Sequence, residues 1–456
     1  MLKKSKNYSE DTIAAIATPQ GTGSVSIIRI SGINALGIGE RITGKKLKPR
    51  FAHNCDFKTA EGNALDNGLA IFFPNPKSFT GEDVVELQCH GGIIVSEALL
   101  QTSYAYGARP ADPGEFSLRA FLNDKLDLSQ AEAIADLINS SSIDAARSAF
   151  RSLEGIFSQK INRLQDKLTN LRVLIEAFLD FPEDEIDIEE KERISLSEKF
   201  YSIVSDIDYL LEESKQGVIL NIGLDIVIAG PPNAGKSSLM NRLAGYDTAI
   251  VTETPGTTRD ILKEKIIIDG LPINIVDTAG IRTTEDPIEK EGIIRASKAI
   301  SRADLLVWVC DIRSSLDENI NEANRLARDK NFLVIRNKLD LANESTKDLS
   351  SRDKAVICLS VHTGEGIDLF LNELKTVSGY APNLGGTFSA RSRHLDSLSK
   401  SRKYLNQASE SFIKNNAFEL AAEDLRMVQK SLSEITGELT SDDLLGEIFS
   451  SFCIGK

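Results

Sequence analysis

The sequence predicts a multidomain fold that combines an α+β domain, an all-α helical domain and an α/β domain with a doubly wound parallel sheet. Short β-like runs alternate with Gly-, Pro- and Asn-rich turns over residues 12–124. Long helical patterns begin at residue 128 and return over 390–449, while residues 217–380 alternate apolar strands with helices. Such alternation is typical of a parallel sheet with helices on both faces.

The composition supports this layout. With 456 residues, of which 41% are hydrophobic, the chain can form two or three domains that each bury a core. The five cysteines and four histidines are scattered, without a C-x-x-C pair or a mixed cluster, which argues against a disulfide framework or a zinc site. We therefore expect a reducing, cytoplasmic location.

The net charge of −14 is opposite to that of a typical nucleic-acid-binding protein, so any polyanion must bind locally. The start, MLKKSKNYSEDT, has no apolar segment after its basic residues. No stretch reaches the ~18 uninterrupted apolar residues of a membrane helix. We expect neither a signal peptide nor a membrane span.

In the N-terminal part, SVSIIRI (24–30) and DVVELQC (83–89) predict strands, and a helix is predicted after Gly92. Farther on, apolar residues recur at alternating spacings of four and three, which lines one face of a helix in a bundle. These residues are Leu153, Phe157, Ile161, Leu164, Leu168, Leu171, Ile175 and Phe178. The acidic run 181–192 is expected to be a solvated helix start without chemistry.

The strands predicted for the α/β domain are LDIVIAG, INIVDTAG, DLLVWVCD, FLVIRNK and AVICLS, and the linker APNLGGT follows them. Helices on both sides of this domain indicate that it is inserted into a helical domain, although two unrelated helical domains would give the same pattern. We predict domains over residues 1–125, 126–216, 217–379 and 380–456. The second and fourth segments form the helical domain, and the third is the inserted one.

A phosphate-binding loop is predicted at GPPNAGKSS (230–238), which fits G-x-x-x-x-G-K-[ST] between a strand and a helix. In that context backbone N–H groups and a helix N-terminus cradle phosphates, Lys236 reaches the β and γ oxygens, and the Ser237 hydroxyl ligates Mg²⁺. The candidate nucleotide contacts here are Asn233, Ala234, Gly235, Lys236, Ser237 and Ser238.

Guanine recognition is predicted at NKLD (337–340), which follows the strand FLVIR. Asp340 is placed to accept hydrogen bonds from N1–H and the 2-amino group of guanine, an edge that adenine lacks. The nucleotide is therefore GTP, with Asn337 and Lys338 as further contacts. Ser360 and Val361, in LSVHTGEG, are the expected base-contact loop; Val361 stands where Ala is more common.

Two loops that sense the γ-phosphate are predicted between these motifs. In TETPGTTRD (252–260), Thr258 is best placed to complete the Mg²⁺ shell. In DTAG (277–280), Asp277 would hold Mg²⁺ through water and the Gly280 N–H would bind the γ-phosphate. The candidate contacts are Thr252, Glu253, Thr254, Pro255, Gly256, Thr257, Thr258, Asp277, Thr278, Ala279 and Gly280.

The chain resembles the MnmE (TrmE) family of tRNA-modification GTPases over essentially its whole length. The most specific matches lie outside the nucleotide site: ATPQGTGSVSIIRISG, GEDVVELQCHGG, PGEFSLRAFLNDKLDLSQAEAI and the terminal FCIGK. The resemblance implies an N-terminal folate-binding-like domain that forms a homodimer, a helical domain, and a P-loop GTPase domain inserted into it.

By matching motifs, the resemblance implies that Arg29, Glu86, Lys125 and Lys456 contact 5-formyl- or 5,10-methylene-tetrahydrofolate. A folate carries carboxylates that suit cations and a pterin edge that suits a carboxylate. Cys453 corresponds to the cysteine of the family's terminal motif, and a catalytic role for it stays open. We reject prenylation of Cys453, because Lys456 is a poor final residue and no polybasic run precedes it.

The resemblance also implies the reaction. With a flavin-dependent partner, MnmG, in a heterotetramer, such proteins build an aminomethyl or carboxymethylaminomethyl group on C5 of the wobble uridine, position 34, of certain tRNAs. Methylene-tetrahydrofolate supplies the carbon, and GTP hydrolysis drives a cycle of GTPase-domain dimerisation. Basic residues are the candidate tRNA contacts, although each could equally be an ordinary solvated charge. They are Lys45, Lys46, Lys48, Arg50, Arg391, Arg393, Arg402 and Lys403.

Ile281 stands where many GTPases have a water-orienting Gln. The resemblance assigns the missing functions to two other places. Asn233, with Thr252, Thr254 and Thr257, would bind a K⁺ ion that supplies the charge of an arginine finger. Glu289, which alone would be read as a surface charge, matches the glutamate that orients the attacking water in the family.

Two rival functions compete with this interpretation. A ribosome-assembly GTPase that binds RNA would explain TTRD and NKLD, but not the N-terminal motifs or FCIGK. A pure signalling switch with a partner-supplied Arg would explain the missing Gln. Stoichiometric folate binding distinguishes the tRNA-modification GTPase from the ribosome-assembly GTPase, which its absence would favour. Fast GTP hydrolysis by the purified protein alone excludes the signalling switch.

Overall fold

The computed structural model describes residues 11–19, 21–180, 190–245, 263–277, 300–301, 303–328, 330–341, 355–380, 388–438 and 442–455. The chain divides into two compact units. The N-terminal unit comprises Met1–Ala135 and Gln429–Lys456, and the central unit comprises Asp136–Val428. The four-segment division expected from the sequence stays a prediction.

The N-terminal unit is built on a six-stranded sheet with the order β3-β4-β5-β2-β1-β6. The strands are β1 (Ile13–Ile16), β2 (Val25–Ser31), β3 (His53–Lys58), β4 (Ala64–Phe73), β5 (Val84–His90) and β6 (Arg109–Pro110). All neighbours are antiparallel except β1 and β6. The predicted strands SVSIIRI and DVVELQC are confirmed as β2 and β5. Arg29 lies directly opposite Glu86 in their register.

Helices pack on this sheet and at its end. They are α1 (Ala35–Thr43), α2 (Ile93–Ala105), α3 (Glu115–Leu122), the first part of α4 (Leu128–Asn139) and α13 (Asp442–Ser450). α2 confirms the helix predicted after Gly92. Gly114, at the start of α3, has a φ of +67°, and a Cβ there would lie 2.6 Å from the Phe449 carbonyl oxygen. The C-terminal segment is therefore packed tightly within this unit.

The central unit contains a second six-stranded sheet with the order β12-β11-β10-β7-β9-β8. Its strands are β7 (Leu224–Ala229), β8 (Lys263–Ile268), β9 (Leu271–Asp277), β10 (Leu305–Asp311), β11 (Asn331–Asn337) and β12 (Ala355–Cys358). Five of them confirm the predicted strands and run parallel. The edge strand β8, which was not predicted, pairs antiparallel with β9.

The turn between β8 and β9 has positive φ angles at Asp269 and Gly270, 49° and 86°. An Asp-Gly pair with this geometry is a strong hairpin signal, because its twist matches that of the flanking strands. The Ser142 hydroxyl donates a 3.1 Å hydrogen bond to the Gly270 carbonyl oxygen, and Lys375 pairs with Asp269 at 2.8 Å. The hairpin is thus joined to Lys375 on a helix and to Ser142 just before another helix, both in the same unit.

Helices cover the two faces of this sheet and extend beyond it. Those near the sheet are α8 (Lys236–Ala244), α9 (Leu316–Ala327), a short 3₁₀ helix (Leu339–Leu341) and α10 (Ile367–Ser378). Separate apolar clusters bury its two faces, one around Ile226 and Val307 and the other around Val227 and Leu306. This is the two-faced burial expected for a doubly wound sheet.

The long helices are α5 (Ile143–Leu153), α6 (Ile156–Asp180), α7 (Glu190–Ile222), α11 (Ser392–Ile413) and α12 (Phe418–Thr436). Of the predicted apolar face, the buried residues are Phe157, Ile161, Leu164, Leu168, Leu171 and Ile175. The prediction of one uninterrupted helix was wrong at its start, because Gly155, with a φ of 86°, ends α5 and leaves Leu153 outside α6. The Phe178 side chain, the acidic run up to residue 189 and the linker 381–387 lie outside the described residues.

Candidate nucleotide and folate sites

The loop between β7 and α8 holds the sequence GPPNAG, and each of its end glycines is required sterically. Gly230 has a φ of +143°, and a Cβ there would lie 2.0 Å from the Val309 carbonyl oxygen of β10. Gly235 has a φ of +98°, and its Cβ would lie 2.2 Å from the Nδ2 atom of Asn337. Only glycine allows both the backbone conformation and these close approaches.

Lys236, the first residue of α8, folds its side chain back over this loop. Its Nζ donates to the carbonyl oxygens of Gly230 at 2.9 Å and Pro231 at 2.8 Å. Ser237 and Ser238 are exposed on the first turn of the same helix. An ammonium group, hydroxyls and the N–H groups of a helix N-terminus converge here, which is the chemistry that binds phosphate.

Asn233 lies at the tip of the loop and is exposed, with a φ of 60°. Asparagine adopts this left-handed conformation more readily than most residues do. The amide is therefore compatible with the predicted role as a cation ligand, which stays a prediction.

Asn337, at the end of β11, joins the loop to the predicted guanine motif. It is 3% exposed, its Nδ2 donates to the Ala234 carbonyl oxygen at 2.8 Å, and its Oδ1 accepts from the Val361 N–H at 3.0 Å. One buried amide thus connects three separate segments of the sequence. The structure brings together the residues predicted at 234–236, 337–340 and 360–361.

The two residues predicted to read the base are also neighbours. The Ser360 hydroxyl donates to Asp340 Oδ1 at 2.6 Å and accepts from the Thr363 N–H at 3.1 Å. Ser360 is fully buried, whereas Asp340 is exposed. Ser360 therefore holds one carboxylate oxygen of Asp340 and leaves the carboxylate facing solvent, as bidentate base recognition requires.

Three further residues support this site and were not predicted. Asp311, at the end of β10, pairs with Lys338 at 2.9 Å and Arg313 at 2.7 Å. Hydrogen bonds from Arg313 and Lys338 hold the pKa of Asp311 far below its ordinary value. Arg242, on α8, donates to the Val361 carbonyl oxygen at 2.6 Å. A charged residue at the carboxyl end of a parallel strand was the available signal for Asp311.

The predicted folate residues Arg29 and Glu86 pair across β2 and β5. Arg29 Nε and Nη2 each lie 2.9 Å from Glu86 Oε1, and both side chains are about one-fifth exposed. The guanidinium also lies over the rings of Phe79 and Phe116, with centroids at 5.3 and 5.7 Å, and 3.5 Å from the Gly455 carbonyl oxygen. A cation, a carboxylate and two rings at one partly exposed place fit the chemistry of a folate.

The other two predicted folate contacts are Lys125 and Lys456. Lys125 is exposed, and its aliphatic stem lies next to Gly81. Lys456 lies outside the described residues. Cys453 is exposed, whereas Cys55, Cys89, Cys310 and Cys358 are buried, and none of the five is in a disulfide. Burial raises the pKa of Cys89 and of Cys310 to about 11, so these two thiols are poor nucleophiles.

Two protein-family models match this chain and together cover most of its length. A model described as MnmE helical domain matches residues 128–453, and one described as GTP-binding protein TrmE N-terminus matches residues 12–125. Together they span both units of the structure. The chain belongs to the MnmE (TrmE) family. Because this is a family of tRNA-modification GTPases, the chain is a GTP hydrolase.

Solved structures show weaker likenesses. The G domain of the T. maritima FeoB iron transporter is 22% identical, covering 34% of this chain and 98% of that chain, with a TM-score of 0.26. A GTP-binding protein from Sulfolobus solfataricus in complex with GDP is 20% identical, covering 48% and 67%, with a TM-score of 0.27. An Aquifex aeolicus Era variant bound to GDP·AlF₄⁻ is 21% identical, covering 40% and 66%, with a TM-score of 0.27.

Several residues predicted for this MnmE family member lie outside the described residues: Thr252, Glu253, Thr254, Pro255, Gly256, Thr257, Thr258, Thr278, Ala279, Gly280, Ile281 and Glu289. Asp277 is the last residue of β9, and only its backbone is described. The Mg²⁺ role of Thr258, the K⁺ ligands among the threonines and the water-orienting role of Glu289 therefore stay predictions.

Some of the candidate tRNA contacts of this chain are engaged in ion pairs. Lys46 pairs with Glu40 at 2.8 Å, Arg391 with Asp136 at 2.6 Å, and Arg402 with Asp208 at 2.6 Å. Each acid partly neutralises its partner, which favours the interpretation of these cations as structural charges. Among the described residues, no helix is long and apolar enough to cross a membrane.

A partly buried ion network that the sequence did not predict lies in the N-terminal unit, with Arg119 and Glu115 at its buried centre. Arg119 is 1% exposed and lies 2.9 Å from Glu115, 2.6 Å from Asp11 and 3.1 Å from Glu82. Arg109 also donates to Glu115 and Asp11. Burial alone would raise the pKa values of Glu115 and Asp11, but the hydrogen bonds from the two arginines outweigh it and lower both.

Proposed function

We propose that this chain is a potassium-activated GTPase that acts with a flavin-dependent MnmG partner on the wobble uridine, position 34, of certain tRNAs. Together they would add an aminomethyl or carboxymethylaminomethyl group to C5, with carbon from methylene-tetrahydrofolate. The observation that carries the proposal is the Asn337 amide, which joins the P-loop to the guanine loop in a chain of the MnmE family. We further propose a cytoplasmic homodimer that forms a heterotetramer with MnmG.

In the proposed GTP site, each described residue has one task. Lys236 leaves the carbonyl oxygens of Gly230 and Pro231 to bind the β and γ phosphate oxygens. Asp340 accepts hydrogen bonds from the N1–H and 2-amino groups of guanine, and the Ser360 hydroxyl holds its carboxylate in place. Ser237, with Thr258, would hold Mg²⁺, an ion that neutralises the phosphate charge during transfer.

The hydrolytic step needs a positioned water and a positive charge near the phosphates. Ile281 cannot orient a water, so we assign that role to Glu289. We assign the cation site to Asn233, Thr252, Thr254 and Thr257. The exposed position of Asn233 at the tip of the loop supports this assignment. Dimerisation of two GTPase domains would bring these groups into their productive arrangement.

In the proposed folate site, Arg29 binds a carboxylate or carbonyl group and Glu86 accepts donors of the pterin edge. Their mutual pair, 2.9 Å apart, keeps both charges compensated in the free protein. Lys125 and Lys456 would add cations, and Cys453 presents an exposed thiol in the same C-terminal segment as Gly455. A ribosome-assembly GTPase would not explain the N-terminal motifs that carry this pair, which supports the folate-dependent function over that alternative.

The proposal is tested by reconstitution from the purified chain, a purified MnmG-type flavoprotein, transcribed tRNA, GTP, methylene-tetrahydrofolate and ammonium or glycine. We expect modified uridine by mass spectrometry in KCl with wild type, and none with Arg29→Ala. Arg325→Ala is the matched control, because Arg325 pairs with Glu322 on the exposed face of α9. Folate binding is measured in parallel by equilibrium dialysis. Wild type that neither binds folate nor modifies tRNA contradicts the proposal and favours the assembly GTPase.

A further inference from the structure

Arg242, in the last turn of α8, is built into the loop that follows β12. Its Nη1 donates to the carbonyl oxygens of Val361 at 2.6 Å and His362 at 3.3 Å. Its Nη2 lies where the loop has Gly364: a Cβ at that position would be 2.3 Å from it, and the φ of Gly364 is +92°. Helix α8 therefore begins at the phosphate loop, and its last turn is hydrogen-bonded to the loop after β12, which is the predicted base-contact loop.

The bond to Val361 fixes the direction of one particular N–H group. The Val361 carbonyl and the His362 N–H belong to the same peptide, and in a planar trans peptide they point in opposite directions. Holding the oxygen on Arg242 therefore turns the His362 N–H away from α8. A cation on the carbonyl also polarises the peptide and makes its N–H a stronger donor.

The other N–H groups of this loop are used within the protein. Their acceptors are Glu365 O for Ser360, Asn337 Oδ1 for Val361, Ser360 Oγ for Thr363, Ser360 O for Gly364 and Thr363 Oγ1 for Glu365. Among the residues that the structure describes, none accepts from the His362 N–H. His362 is exposed, so a ligand can reach this donor.

We propose that Arg242 is a positioning residue for guanine: it holds the Val361–His362 peptide so that its N–H meets the oxygen on C6 of the base. Adenine carries an amino group at that position, which cannot accept this bond. The inference rests on the proposed guanine site at Asp340, which the Ser360 hydroxyl links to this loop at 2.6 Å. Asp340 then reads N1–H and the 2-amino group, while the peptide held by Arg242 reads the C6 oxygen.

A competition assay against fluorescent GDP measures the two base contacts independently, with GDP, IDP and 6-thio-GDP as the three competitors. IDP lacks the 2-amino group that Asp340 reads, and 6-thio-GDP replaces the C6 oxygen with a weak acceptor. We expect Arg242→Ala to weaken GDP binding about tenfold, the effect of one charge-assisted hydrogen bond. The preference for GDP over 6-thio-GDP should fall towards one, while the preference for GDP over IDP stays within about twofold of wild type. Arg242→Lys, which keeps a cationic donor, should recover part of the loss.

The matched control is Arg325→Ala, an arginine on the exposed face of α9 whose partner is Glu322. It should leave all three affinities unchanged. Arg242→Ala that binds GDP like wild type overturns the inference, and so does equal weakening of GDP, IDP and 6-thio-GDP. If Arg242→Ala does not fold, the same comparison is made with Arg242→Gln, which removes the charge and keeps most of the side-chain length, and unchanged preferences there overturn the inference. Wild type that binds ADP as tightly as GDP contradicts the proposed guanine site at Asp340. This outcome is distinct from a failure of the role proposed for Arg242, which only the variants test.

Discussion

Asn337 donates a 2.8 Å hydrogen bond to the carbonyl oxygen of Ala234, which joins the end of β11 to the phosphate loop. The same amide accepts the Val361 N–H of the base loop. Gly235 has no Cβ and so leaves room for Nδ2, because a Cβ there would lie 2.2 Å from it. The loops predicted to bind the phosphates and the base therefore share one buried side chain.

Asn337→Ala should weaken GDP binding strongly while leaving the fold in place. The change leaves the Val361 N–H and the Ala234 carbonyl without their partner, at a cost of roughly 1 to 3 kcal/mol, or about 5- to 150-fold in affinity. Isothermal titration with GDP measures it. The matched control is Asn372→Ala, an exposed asparagine on α10. Equal GDP affinities for Asn337→Ala and wild type would show that the amide does not join the two loops functionally.

The ion network around Arg119 and Glu115 should give the N-terminal unit an acid-sensitive stability. The pKa values of Glu115 and Asp11 are lowered from 4.5 and 3.8, so their contribution is present above those values and is lost as pH falls through the lower, folded-state values. We expect amide hydrogen exchange in α3, corrected for its intrinsic rate, to show a smaller opening free energy below about pH 4 than at pH 7.

Glu115→Gln tests the same network at neutral pH. It leaves the buried Arg119 and its neighbour Arg109 without a shared carboxylate, which should lower the opening free energy of α3 by about 3 kcal/mol. The acid dependence should shrink at the same time. Glu97→Gln, an exposed glutamate on α2, is the control and should change neither quantity. An opening free energy for Glu115→Gln equal to that of wild type would count against the network.

The position of the C-terminal segment should decide folate binding. Gly455 has a φ of +95°, and a Cβ there would lie 2.3 Å from the Ile16 carbonyl oxygen, so Gly455→Ala must displace this segment from Arg29. We expect about tenfold weaker binding of 5-formyl-tetrahydrofolate in equilibrium dialysis. Gly44→Ala is a close control, since Gly44 has a φ of +64° with nothing within 4 Å of its Cβ. Similar folate affinities for the two variants would contradict the proposed site.

Local patterns in the sequence predicted much of this fold. Five parallel strands, the P-loop and its helix, the NKLD motif and the apolar face of α6 follow from apolar spacing and from turn residues, which act over short distances. The Asp269–Gly270 hairpin also carried a local signal, although it was not predicted.

The features that the sequence did not predict depend mainly on contacts between residues that are far apart in the sequence. Arg119 meets Asp11 and Glu82 only after β1, α3 and the loop before β5 have packed, and no spacing rule links these residues. Arg242 would be read as an ordinary helix charge until the base loop is placed beside it. The break at Gly155 was hidden because the apolar spacing continues across it. Packing, rather than propensity, decides each of these cases.

The most direct test of the central claim is steady-state GTP turnover by the purified chain in KCl and in NaCl, for wild type, Asn233→Ala and Glu289→Gln. We predict that wild type is at least about tenfold faster in KCl, because a bound cation replaces the charge of an arginine finger. Asn233→Ala should lose this advantage, and Glu289→Gln should be slow in both salts. Asn372→Ala should behave as wild type. Equal rates for wild type, Asn233→Ala and Glu289→Gln in both salts would contradict the claim.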